Sequence, residues 1–169
     1  MKKIALFCVS AAALFGAQAA YATTYTPAGT FHATGTLTVQ KGLTLTCAAD
    51  FTVVVPNAAP DSHGSASHGH SATVTAATLT GSLGLCSAVT LNNFPWAVNL
   101  VGSNLTFSNV AATTITPGNC LPGTVQGAWN NTARTVSFVN QTLTGGSGSA
   151  NCVINGTLTV NPTISITNP

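Results

Sequence analysis

The sequence predicts an all-β fold, a disulfide-stabilised sandwich or barrel of short antiparallel strands. Three observations carry the prediction. Residues 43–55 place Leu43, Leu45, Cys47, Ala49, Phe51, Val53 and Val55 at every odd position, with Thr44, Thr46, Ala48, Asp50 and Thr52 at most of the even ones. Successive side chains of a strand point to opposite faces, so one face is apolar and the other threonine-rich and wet. No segment shows helical periodicity over several turns, while Gly, Pro and Asn punctuate many short strand-like runs. Cys47, Cys86, Cys120 and Cys152 form an even set, with Cys47 on the apolar face of its strand.

Residues 1–22 read as a signal peptide. Lys2 and Lys3 supply a positive start, residues 4–15 an apolar stretch, and Ala20-Tyr21-Ala22 a small-residue cleavage site. The apolar stretch is too short to span a membrane, and no later run approaches ~18 apolar residues. Cys8 leaves with the leader, and residues 23–169 form one all-β domain. The expected location is extracellular or on the cell surface, with the periplasm as the alternative.

The 169 residues suffice for one domain with a real core. Only 4% are charged, against ~25% in an average soluble domain. The formal charge of +2 resides in the leader, since Lys41 and Arg134 offset Asp50 and Asp61 beyond it. Such a chain offers no electrostatic attraction to nucleic acid. It also has little charge repulsion to oppose self-association.

In chain order, residues 23–29 are a short lead-in. Phe31, Ala33, Gly35, Leu37 and Val39 then alternate with polar residues, placing His32 on the wet face as a solvated strand histidine. Gln40-Lys41-Gly42 supplies a turn into residues 43–55, forming a hairpin. Residues 56–70 are a loop by composition, with Pro56, Asn57, Pro60, Asp61 and Gly64. His63, His68 and His70 lie within it and would bind zinc, copper or nickel through their imidazoles. They have no ordered ligand spacing, which favours an ordinary polar loop.

Residues 71–80 return to strand-like alternation. Phe94-Pro95-Trp96 precedes a strand over residues 97–101, and Trp96 is read as a core anchor or, with Phe94, as a hydrophobic contact. Residues 104–110 form another strand. Residues 124–129 and 132–139 flank Asn130-Asn131, a hairpin signal. Residues 145–149 read as a flexible Gly-Ser loop. Cys152, Ile154, Leu158 and Val160 share one face of a closing strand, and residues 163–167 continue the sheet after Pro162.

Four cysteines allow three pairings. Cys47–Cys86 and Cys120–Cys152 are favoured because each joins sequence-adjacent strand groups. Zinc lacks a C-x-x-C spacing, and no cofactor is implied. Catalysis is poorly supplied: Asp50 and Asp61 are the only acidic residues, and neither a G-x-S-x-G elbow nor a phosphate-binding glycine loop occurs. The expectation is a protein that is not an enzyme.

Pro27-Ala28-Gly29-Thr30-Phe31, Lys41-Gly42-Leu43-Thr44-Leu45-Thr46-Cys47, Ala72-Thr73-Val74-Thr75, Gly84-Leu85-Cys86 and Phe94-Pro95-Trp96 stand in order along most of the chain beyond the leader. In these the sequence resembles the bacterial PraB-type protein activators of alkane oxidation. The resemblance implies a secreted, non-catalytic accessory protein that assists alkane oxidation or uptake, and it carries over no catalytic residue. A nearly uncharged domain would act by adsorbing at a hydrocarbon or cell-surface interface. The alternative is an adhesin-like subunit of a surface fibre or biofilm matrix, self-associating by strand addition with residues 23–29 as the donated segment. A third reading is a periplasmic metal carrier using His63, His68 and His70.

Overall fold

The computed structural model describes residues 23–57, 68–81 and 84–167. The expected signal peptide at residues 1–22, and with it Cys8, lies outside them, as do Asp61 and His63.

Eleven strands account for most of the described chain: β1 (Thr24–Thr26), β2 (Gly29–Lys41), β3 (Leu43–Val55), β4 (Ala72–Thr80), β5 (Thr90–Asn92), β6 (Trp96–Val101), β7 (Asn104–Thr113), β8 (Cys120–Asn130), β9 (Thr135–Leu143), β10 (Cys152–Asn161) and β11 (Ser165–Thr167). Between the two architectures left open by the sequence, the structure chooses a barrel. Strands β2 to β10 run as an antiparallel meander, and β10 pairs back onto β2. The wall counts as eight strands, because β5 and β6 pair in line with the same edge of β7. The interruption between them contains Asn93, whose φ is 66°.

Closure is possible because the alternation persists around the wall. Phe31, Ala33, Leu37, Cys47, Ala49, Phe51, Val98, Phe107, Val125, Val136, Phe138 and Leu158 point inward and are buried, whereas Thr36, Thr46, Ala48 and Thr157 face outward. The alternation changes phase in β4, where Val74 and Leu79 are both buried. A register shift against β3 between Thr52 and Val53 absorbs the odd residue. The seam between β2 and β10 is lined by small residues: Gly35 faces Leu158 and Gly156 faces Leu37. Gly156 has φ 135°, and a Cβ there would collide with the Thr36 carbonyl oxygen.

The two barrel ends are closed differently. At one end β1 and β11 form a separate ribbon that sends Tyr25 and Ile166 into the core, joined by Ile164 just before β11. The Tyr25 hydroxyl donates to the Val98 carbonyl at 2.8 Å. The chain after Pro162 therefore leaves the wall instead of continuing it. At the other end lie the hairpin at Gly42, the segment leading into β5, the β7–β8 loop and the β9–β10 loop. Both disulfides sit there, Cys47–Cys86 and Cys120–Cys152, the pairing favoured on strand adjacency.

The Gly-Ser segment departs from its expected flexibility. Gly146 N–H donates to Asn119 O at 2.7 Å, and Gly145 N–H to the Asn151 side chain at 3.1 Å. The Lys41 ammonium donates to Ser149 Oγ and Ala150 O, each at 2.7 Å. Backbone amides packed at a barrel mouth need partners, and here turn, side chain and ammonium provide them.

Candidate functional site

Trp96 opens β6 on its inward-facing side and is only 2% exposed. Its indole N–H donates to Asn92 O at 2.7 Å, and Phe51 meets the ring edge-on at a centroid distance of 5.7 Å. Phe94 stacks on it at 4.4 Å and is half-buried. Trp96 therefore packs in the core with its N–H satisfied, as the core-anchor alternative expects. Phe94 covers Trp96 and offers only part of its ring to solvent.

The described part of the histidine-rich segment is anchored. Tyr25 and Gly69 exchange two backbone hydrogen bonds, at 2.9 and 3.0 Å. The flanking His68 and His70 rings meet edge-on at 5.2 Å. Among the described residues, no three His, Cys, Asp or Glu side chains gather closely enough to hold a metal ion.

The remaining ionisable groups are dispersed. His32 Nδ1 lies 2.8 Å from Asp50 Oδ1 on the outer face of β2 and β3, with both side chains about half exposed. The sequence reading missed this pair, although residues 32 and 50 fall on the wet faces of a hairpin and its register sets them diagonally across from each other. Arg134 donates to Thr163 Oγ1 at 2.7 Å near the ribbon end. Lys41 is 4% exposed at the disulfide end. No cluster suited to acid–base chemistry forms among these groups.

The barrel interior is filled. Its apolar spaces are about 40 and 30 Å³, far below the ~300 Å³ at which small-molecule pockets begin. A larger depression of about 320 Å³ lies open at the ribbon end, beside Leu100, Trp129, Asn131 and Ile166. Closure at eight strands leaves an interior just wide enough for side chains. Whatever the barrel meets, it therefore meets mainly on its outside.

Among the described residues, that outside carries six exposed large apolar side chains: Leu43, Leu85, Val101, Ile115, Leu121 and Val139. Leu43 was expected in the core by its odd position, but it stands beside Gly42 at the mouth, where the inward face runs out. Leu43 and Ile115 line one shallow depression with Val39, Leu45 and Val89.

Comparison with protein families matches residues 1–168 to the family described as "Alkane oxidation protein activator PraA/PraB-like". Comparisons with curated proteins and with solved structures return no match.

Proposed function

The chain belongs to the PraA/PraB-like family of alkane oxidation protein activators, and from that premise we propose that it is an exported, non-catalytic accessory protein working at the hydrocarbon–water interface. The observation that carries this reading is a closed, packed barrel whose outside is almost free of charge. Adsorption to oil removes water from the contacting surface, and each ionised group moved with it adds a large desolvation cost. A threonine-rich wall with scattered apolar side chains avoids most of that cost while remaining wettable. Export is supported by the leader-like residues 1–22, and two disulfides suit an oxidising compartment. Among the described residues, no helix is long and apolar enough to cross a membrane.

Fibre formation through the lead-in is less well supported. Thr24–Thr26 already pairs with Ser165–Thr167, and Tyr25 also pairs with Gly69. Strands β2 and β10 pair to close the wall, and among the described strands of the wall only the three-residue β5 has a single ladder partner, which leaves little edge to receive a donated strand.

The test is partition of the chain from Thr23, with disulfides formed, between buffer and a hexadecane emulsion, with sedimentation in the same buffer as control. Soluble monomer depleted from the aqueous phase is the expected result. Protein that ignores the oil but sediments as regular polymer overturns the reading in favour of a matrix subunit.

A further inference from the structure

We infer that the disulfide end of the barrel is the face that meets liquid hydrocarbon. This inference rests on the interfacial reading above and assigns it a place on the molecule. Strand direction puts Leu43, Leu85, Ile115 and Leu121 at this one end: Leu43 beside the β2–β3 turn, Leu85 next to Cys86, Ile115 in the β7–β8 loop and Leu121 at the start of β8. They are between 38% and 44% exposed. The other two exposed large apolar side chains among the described residues are separated from them. Val101 lies at the β6–β7 turn on the ribbon end, and Val139 lies along β9.

The electrical character of this end selects the occupant. In its described segments, residues 84–89, 114–119 and 144–151 contain no charged residue. Lys41 is the one charge nearby, and its ammonium is directed onto Ser149 Oγ and Ala150 O. An anionic membrane would need exposed cations, and a charged peptide would need an opposite charge. A neutral apolar liquid needs neither, so the uncharged face complements it.

The construction of this end keeps the leucines outward. Cys47–Cys86 ties the loop bearing Leu85 to β3, and Cys120–Cys152 ties the strand bearing Leu121 to β10. Gly146 packs beneath Leu121, leaving an ideal Cβ only 3.4 Å from Leu121 Cδ2. The interior behind them has no space to receive another leucine.

The experiment compares three proteins in the hexadecane partition assay: the parent, L43S/L85S/I115S/L121S and V101S/V139S. Each is checked for folding by near-ultraviolet circular dichroism and for disulfide content. The inference expects at least a tenfold loss of partition for the fourfold variant and little change for the double variant. Should the fourfold variant fail to fold, L43S/I115S and L85S/L121S are assayed separately, and a several-fold loss is expected for each. Full partition by the folded end-face variants overturns the assigned face while leaving interfacial binding intact. Equal losses in V101S/V139S overturn it too, because adsorption would then be spread over the surface. A parent protein that ignores hexadecane overturns both readings, and preference for phosphatidylglycerol vesicles over hexadecane overturns the choice of occupant.

Discussion

The side-chain amide of Asn131 completes the edge of β11 by bonding the backbone of Ile166 in both directions. Ile166 N–H donates to Asn131 Oδ1 at 2.9 Å, and Asn131 Nδ2 donates to Ile166 O at 2.6 Å. Oδ1 also accepts the Trp129 indole N–H at 2.8 Å. One amide thus imitates a neighbouring strand for one residue and leaves less of a short edge available for pairing.

Replacing Asn131 with Ala removes all three bonds. The expected cost is about 1–3 kcal/mol, read as a fall in unfolding midpoint. Size exclusion should also show more self-association than in the parent. Asn131→Asp retains the acceptor but loses the donor to Ile166 O, so it should fall between the two. An unchanged midpoint for Asn131→Ala would show that water replaces the amide without penalty.

Lys41 should govern order in the Gly-Ser segment. Lys41→Met keeps an apolar stem but leaves Ser149 Oγ and Ala150 O without the ammonium. Loss of about 1–3 kcal/mol is expected, together with faster amide hydrogen exchange at Gly145, Gly146 and Ser149. Unaltered exchange there would mean that the backbone bonds and the Cys120–Cys152 bridge hold the segment alone.

The closing seam should be intolerant of a methyl group. Gly156→Ala combines an unfavourable φ with a collision against backbone, and should cost at least about 2 kcal/mol. Gly42→Ala provides the comparison: its φ is 67°, but open space surrounds the new Cβ. Conformation alone should cost it about 1 kcal/mol. Chemical denaturation of both variants measures the difference, and equal midpoints would remove the steric account of the seam.

Tyr25 should make the fold sensitive to alkali. Burial raises its phenol from 10.0 to about 12, partly opposed by a backbone hydrogen bond. The raised folded value means that the native state retains a proton which the unfolded chain releases. This contribution is complete below pH 10 and falls away as pH rises towards about 12, on the order of 2 kcal/mol in all. Tyr25→Phe should be less stable at neutral pH but show a shallower alkaline decline. An equally steep decline would assign the sensitivity to other groups.

Much of the wall was legible because period-two alternation is local: β3 runs from Leu43 to Val55 as its odd positions require. Closure was not legible, because Gly35 and Leu158 meet across a long stretch of chain and neither residue announces its partner. Trp96 was ambiguous because an aromatic after proline suits either a core or a contact; its place beside Phe51, edge-on, and Phe94, stacked, depends on the tertiary fold. Lys41 looked like a turn residue, since composition gives no sign that Ser149 and Ala150 would return to it. The Gly-Ser segment misled for the same reason, as its order is imposed by tertiary partners that glycine and serine do not encode.

The pairing of β10 with β2 also bears on the order of assembly. The first and last strands of the wall close it, so a chain ending before Cys152 would present β2 and β9 as two unsatisfied borders. The neighbouring hairpins can form early, but the loop-closure entropy of the final pairing falls due only when almost the whole polypeptide is present. A shortened chain should therefore behave as an aggregation-prone ribbon instead of a smaller barrel.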